Sequence, residues 1–161
     1  MKLYIKQKVF SWGAKFTVKD EIGNDKYYVE GEVFSCGRKL HIIDLCGNEV
    51  AFIKQKPFSF FPKYFVYVNG NEIAEIVKRF SFLGSKHKIE GHGWNIDGDL
   101  LLHNYAITQN GNTIVSIQKK WITWGDSYEL DISDSADEIT AIAVALTIDC
   151  MLASRASNSS S

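Results

Sequence analysis

The sequence predicts a mainly β protein: a single antiparallel β-barrel of about twelve short strands enclosing a central hydrophobic C-terminal α-helix. Three observations carry this expectation. Short β-branched and aromatic runs alternate with turn residues from residue 1 to 133. Asn-Gly and Asp-Gly pairs punctuate those runs, and such pairs favour the φ > 0 positions of tight hairpins. After residue 133 the pattern changes abruptly to an alanine-rich run without Gly or Pro. A chain of 161 residues with 45% hydrophobic and 23% charged residues suits one folded domain with a sizeable core.

The first strand-like run is 16–20, followed by the turn cluster Ile22-Gly-Asn-Asp25 and a second run at 27–34. Breaks at Cys36-Gly37, Gly47-Asn48, Asn69-Gly-Asn71, Asp97-Gly98 and Asn110-Gly-Asn112 then separate further runs. These are 39–44, 49–56, 63–68, 72–80, 86–91, 94–97, 100–108, 113–121 and 127–132. Within 127–132, alternation places Glu129 and Asp131 on a solvated face and Tyr128, Leu130 and Ile132 on the opposite one.

Ser135-Ala-Asp-Glu138 reads as a capping box, in which Ser135 and Glu138 each serve the other's amide. It predicts a helix over 136–153. At about 100° per residue its apolar side chains surround most of the axis, so burial on nearly all sides is expected. Thr140, Thr147 and Asp149 interrupt the run, which is shorter than the ~20 apolar residues of a membrane span. Its length, about 27 Å at a rise of about 1.5 Å per residue, matches strands of about eight residues. A barrel domain over 1–153 and a polar tail over 154–161 follow from this reading.

Three fragments carry the expected organisation most specifically: Phe16-Thr-Val-Lys-Asp20, Leu40-His-Ile-Ile-Asp-Leu-Cys-Gly47 and Trp124-Gly-Asp-Ser-Tyr-Glu-Leu-Asp-Ile132. Their order, with the terminal helix, resembles the LURP-one-related family of the tubby C-terminal-like superfamily, including its bacterial members, over roughly residues 1 to 152. The resemblance implies a barrel of about twelve strands around a central helix and a protein that is no enzyme. Tubby relatives bind phosphoinositides, and phospholipid scramblases share the fold. This chain matches no tubby-type phosphoinositide motif residue by residue and lacks the Pro-rich N-terminal region of the scramblases, so lipid binding enters as an analogy of fold.

A near-neutral balance, 18 Lys+Arg against 19 Asp+Glu, argues against a nucleic-acid partner. The sum conceals unlike parts. Residues 1–125 carry 17 bases and 12 acids, residues 126–149 carry seven acids and no base, and Arg155 adds the last charge. Cys36, Cys46 and Cys150 form neither a disulfide framework nor a zinc spacing. The N-terminal lysines break any signal-peptide core, so a cytoplasmic location is expected, peripheral at the membrane if lipid is bound.

No catalytic set, metal site or cofactor is expected. His41, His87, His92 and His103 follow no ligand spacing; His103, within an apolar run, reads as serving a core hydrogen bond. Asp97-Gly-Asp99 is explained by a hairpin turn, lacking the further acids of a calcium loop. An enzyme acting on a small ligand would need a pocket near His87, His92 and Asp97, for which a helix-filled barrel leaves little room.

The remaining signal is basic and aromatic. Lys54, Lys56, Lys63, Lys78, Arg79, Lys86 and Lys88, against Glu72 and Glu75, form the candidate ligand-binding patch, with phenylalanines and tyrosines interleaved. Should the strand faces meet, they would suit anionic phospholipid or phosphoinositide headgroups; the plainer reading is lysines that solubilise hairpins and block edge pairing. A protein partner gripped by Trp12, Trp121 and Trp124 is the alternative. One fragment also recurs: Ile5-Lys-Gln-Lys-Val-Phe-Ser-Trp12 is answered by Ile53-Lys-Gln-Lys-Pro-Phe-Ser-Phe60 and, more loosely, by Ile117-Gln-Lys-Lys-Trp-Ile-Thr-Trp124. Either a repeated surface or similar corners of one barrel would produce it, and similar corners are the expectation.

Overall fold

The computed structural model describes all residues except 7–12, 14, 33–34, 78–86, 90–92, 101, 123–124 and 159–161. Twelve strands precede one helix: β1 (Lys2–Lys6), β2 (Lys15–Lys19), β3 (Asp25–Gly31), β4 (Lys39–Asp44), β5 (Glu49–Gln55) and β6 (Lys63–Val68). Then come β7 (Asn71–Val77), β8 (His87–Ile89), β9 (Trp94–Asp99), β10 (Asn104–Gln109), β11 (Asn112–Ile122), β12 (Gly125–Ile132) and α1 (Glu138–Asn158). One antiparallel sheet holds all the strands in the order β7-β6-β5-β4-β3-β2-β1-β12-β11-β10-β9-β8. The chain thus builds two meanders that join where β1 pairs with β12. The edge strands β7 and β8 approach with Cα atoms within 8 Å, although no ladder joins them among the described residues.

Alternation decides what faces inward. Leu3 and Ile5 of β1, Leu40 and Ile42 of β4, Tyr64 and Val66 of β6, and Tyr128, Leu130 and Ile132 of β12 are all buried. The sheet wraps α1 with these side chains, and every residue from Thr140 to Met151 is buried. A helix apolar all round needs such a sheath. Ala141, Ala143 and Ala145 are fully buried, their small side chains letting the strands come close.

Two hairpin turns are built alike. In Asp20-Glu-Ile-Gly-Asn24, Asp20 Oδ1 accepts from the amides of Ile22 and Asn24 at 3.0 and 2.8 Å. In Asp44-Leu-Cys-Gly-Asn48, Asp44 Oδ1 accepts from Cys46 and Asn48 at 2.9 and 2.8 Å. The Asn48 side chain and these amides hold the Asp44 carboxyl below its usual range.

Three local expectations are corrected. Asp97-Gly98 lies inside β9, and the described turn residues are Leu100, Leu102 and His103 instead. Gly98 is required by proximity as well as by its φ of 124°, since a Cβ there would stand 2.7 Å from the Asn104 carbonyl oxygen. The helix cap is Asp137 rather than Ser135: its Oδ2 accepts from the Thr140 amide at 3.2 Å and the Thr140 hydroxyl at 3.1 Å. Glu138 is drawn away from any capping box by Lys26 at 2.7 Å and the Tyr27 hydroxyl at 3.1 Å. Glu129, expected in solvent, is covered. Burial works against its charge, but the Tyr4 hydroxyl at 2.8 Å, Lys2 at 3.2 Å and the charge of Lys120 hold its carboxyl below the usual range.

Candidate functional site

Neighbouring strands are antiparallel, so β1, β3, β5, β7, β9 and β11 all run towards one rim of the barrel. Tyr27 and Lys26 at the start of β3 meet Glu138 at the beginning of the helix. Tyr64 at the start of β6 donates to the Cys150 carbonyl near its end, at 3.3 Å. One rim therefore surrounds the start of the helix and the other its end.

The recurring fragments have a simple geometry in this frame. Ile5, Ile53 and Ile117 are 0, 1 and 0% exposed, so each copy begins as a core contact, as similar corners of a barrel require. Their strands β1, β5 and β11 also leave the barrel at the same helix-end rim. Residues 7–12 and 123–124 lie outside the described residues; in the second copy the whole fragment is described.

That second copy ends in the β5–β6 loop, Pro57-Phe-Ser-Phe-Phe-Pro62. The Lys56 amide donates to the Lys63 carbonyl at 2.8 Å and closes its base. Phe58 and Phe60 are 98 and 93% exposed. Lys54 and Lys56, on the outward parity of β5 and its continuation, are exposed, with no carboxylate within 4 Å among the described residues. Lys54 faces Lys39 across the β4–β5 ladder.

The other lysines of the expected patch fare differently. Lys63 is held by Glu75 at 2.5 Å. Lys78, Arg79 and Lys86 lie outside the described residues; of Lys88 only the backbone, on β8, is described. β6 and β7 stand between β5 and the edge facing β8, so the structure brings Lys54, Lys56 and Lys63 to one hairpin end and does not join them to Lys88. Of the expected tryptophans, Trp12 and Trp124 lie outside the described residues, and Trp121 is described by its backbone in β11 alone.

The two rims differ in charge. At the helix-end rim, Glu30 and Glu32 are matched by Lys15 and Lys39 at 2.9 Å each, as Glu75 is by Lys63. At the helix-start rim, Asp20, Glu21, Asp44, Glu49, Glu72 and Asp134 outnumber the bases, and Lys2, Lys19 and Lys26 there are engaged by Glu129, Asp25 and Glu138. The outer face between them carries His41, whose ring nitrogens lie 3.1 Å from Glu32 and 2.5 Å from Glu49. His41 packs on Phe52 with ring centroids 4.8 Å apart, and Phe52 on Tyr67 at 5.9 Å.

A polar cluster that local spacing does not reveal lies inside the barrel. Asp149 of α1 is 2% exposed. Tyr128 donates to its Oδ2, and His103 Nδ1 stands 3.4 Å from its Oδ1. The His103 ring stacks on Tyr128 with centroids 5.1 Å apart. Burial raises the Asp149 carboxyl to about 7 despite the opposing Tyr128 bond. The buried Tyr105 hydroxyl, pushed up by burial and by the Asp149 charge, has no hydrogen-bond partner among the described residues. His103 thus meets the core at Asp149 through a 3.4 Å contact of Nδ1 with Oδ1, which is not the core hydrogen bond expected of it.

No group of three or more His, Cys, Asp or Glu able to hold a metal ion occurs among the described residues. Asp97 lies on β9 within 3.4 Å of the Thr108 hydroxyl, His92 lies outside the described residues, and His87 is described by its backbone alone. An open groove of about 390 Å³ crosses β2 and β3, lined by Lys15, Lys19, Tyr28 and Glu30, away from Asp97.

The LURP-one-related family profile matches residues 1–149. The chain belongs to the LURP-one-related family. It is 36% identical over 152 residues to the "Uncharacterized protein YxjI" of Bacillus subtilis (strain 168), covering 94% of each chain. The X-ray structure of an Arabidopsis thaliana protein superposes with a TM-score of 0.59 at 15% identity, over 91% of this chain and 87% of that one. At that identity the likeness establishes the fold. The LURP-one-related fold, an antiparallel sheet wrapped around a C-terminal helix, is thus shown by sequence and structure alike, and no described helix of it is long and apolar enough to cross a membrane.

Proposed function

We propose that this LURP-one-related protein is a non-enzymatic binding module that docks its helix-end rim on anionic phospholipid headgroups at a membrane surface. The observation that carries this reading is the pair Lys54 and Lys56, exposed and without a carboxylate partner among the described residues, at the rim opposite the acidic turns. Lysine ammonium groups near an anionic leaflet gain roughly 1 kcal/mol each, and acids held a barrel's length away add little repulsion across more than about one Debye length. Lys78, Arg79, Lys86 and Lys88 extend the proposed patch in sequence.

Vesicle co-sedimentation at low salt tests it. Recovery with phosphatidylserine-containing vesicles should exceed that with neutral ones and fall as salt is raised. Equal recovery with both would sink the proposal. The outer-face rings of His41, Phe52 and Tyr67 favour a second reading, a protein-interaction module without lipid affinity. It expects charge reversal at Lys54 and Lys56 to leave function untouched and a pull-down to retain a stable partner.

A further inference from the structure

From the exposed aromatics of the β5–β6 loop we infer that this loop is a membrane wedge: Phe58 and Phe60 enter the headgroup–acyl boundary of a bilayer while Lys54 and Lys56 hold its anionic headgroups. The inference rests on the anionic-surface reading above and adds the mode of attachment.

Four observations converge on the loop. The first is exposure. Large aromatic side chains usually dominate cores and interfaces, yet Phe58 and Phe60 are 98 and 93% exposed, side by side in sequence but for Ser59. The second is composition. The hairpin turns at 20–24, 44–48, 69–71 and 110–112 use Asp, Asn and Gly, whereas 57–62 holds no charge, amide or glycine.

The third is rigidity. Pro57 and Pro62 bracket the loop, the Lys56–Lys63 backbone bond of 2.8 Å closes its base, and Phe61 meets Phe60 edge-on with centroids 4.9 Å apart. Phe58 has a φ of 54°, a left-handed conformation that a bulky residue adopts only under strain. Strain kept at a residue with no core contact points to what that residue presents outward. The fourth is charge. Lys54 and Lys56 sit at the base of the loop, exposed, and the acidic turns occupy the opposite rim.

Together these commit the surface to one occupant, a fluid bilayer containing anionic lipid. A protein groove would suit two phenylalanines as well, but the adjoining lysines, on a rim whose Glu30, Glu32 and Glu75 are each paired with a lysine, complement a negative plane. Aromatic rings favour the membrane interface, and apolar faces of peripheral anchors lie about 5–10 Å into it. Each phenylalanine buried there should strengthen partitioning by roughly tenfold or more. Ile22 and Leu45, 83 and 59% exposed, sit singly in the acidic turns and serve as controls.

The test compares the wild-type chain with Phe58→Ser/Phe60→Ser, with Lys54→Glu/Lys56→Glu and with Leu45→Ser. Probes are phosphatidylserine–phosphatidylcholine vesicles, pure phosphatidylcholine vesicles and a mixed monolayer whose surface pressure reports insertion. Wild type and Leu45→Ser should bind anionic vesicles and raise the pressure. The double serine variant, with an unchanged melting curve, should bind roughly 100-fold more weakly and leave the pressure flat. The double glutamate variant should lose the salt-dependent part of the affinity.

Anionic-selective binding by the double serine variant at wild-type strength overturns the wedge and leaves the headgroup reading standing. Wild type that binds no vesicle overturns both. Sedimentation velocity showing a wild-type dimer that the serine pair dissolves assigns the loop to a second copy and also overturns the wedge.

Discussion

Asp149 carries the sharpest consequence at the scale of one residue. Its carboxyl lies on the enclosed helix, facing His103 from the β9–β10 connection, Tyr128 of β12 and Tyr105 of β10. Burial raises it to about 7 from an ordinary 3.8, with the Tyr128 bond opposing. The folded protein therefore keeps a proton that the unfolded chain releases between about pH 4 and about pH 7. The resulting contribution is fully present below the unfolded value and is lost as pH rises through about 7. Relative to Asp149→Asn, wild-type stability should fall across that window, with a slope of at most about 1.4 kcal/mol per pH unit. Chemical denaturation of both proteins over a pH series measures this, since groups distant from the cluster cancel in the difference. Parallel stability curves would show that the carboxyl is not perturbed. The sequence marked Asp149 only as an interruption of an apolar run. Its partners lie 46 positions back at His103 and 21 back at Tyr128, and no local spacing encodes an encounter made by wrapping a sheet around a helix.

At the scale of the element, turn chemistry and alternation were legible because both are local. β4 and β6 begin and end where turn residues and β-branched runs place them, at Lys39–Asp44 and Lys63–Val68. What was missed depends on neighbours. Gly98 reads as a turn glycine, but it is a strand residue that lets β10 pass close by, which only the pairing of Gly98 with Tyr105 reveals. Ser135-Ala-Asp-Glu138 reads as a capping box, but Lys26 and Tyr27 claim Glu138 from β3, and the cap passes to Asp137. The helix also continues to Asn158 rather than stopping near Ala153. Replacing Asp137 by alanine should lower stability by about 1 kcal/mol, read as a shift of the denaturation midpoint at constant slope. Replacing Ser135 by alanine should leave the midpoint within about 0.5 kcal/mol of wild type. The reverse ranking would return the cap to Ser135.

At the scale of the whole molecule, the near-zero net charge dissolves into two unlike rims. The order of the strands could not be read from a single sequence, yet it alone brings Ile5, Ile53 and Ile117 into the core and points the ends of β1, β5 and β11 towards one rim. The same order sends the Asp20 and Asp44 turns to the other end. The recurrence in the sequence was legible, and its meaning was not. It is a core contact at its isoleucines and, where fully described at 53–60, an exposed lysine–phenylalanine edge at its far end.

This polarity defines the central claim, that the helix-end rim faces an anionic membrane, and the chain carries its own probes for it. Cys36 is exposed in the β3–β4 connection at the helix-end rim, Cys46 is exposed in the acidic turn at the opposite rim, and Cys150 is buried. An environment-sensitive fluorophore placed on Cys36 in Cys46→Ser, or on Cys46 in Cys36→Ser, reports which rim meets lipid when phosphatidylserine-containing vesicles are added. The account predicts a blue shift and quenching by lipid-borne quenchers at Cys36, with the Cys46 label unchanged. A response at Cys46 alone, or at neither site, would contradict it.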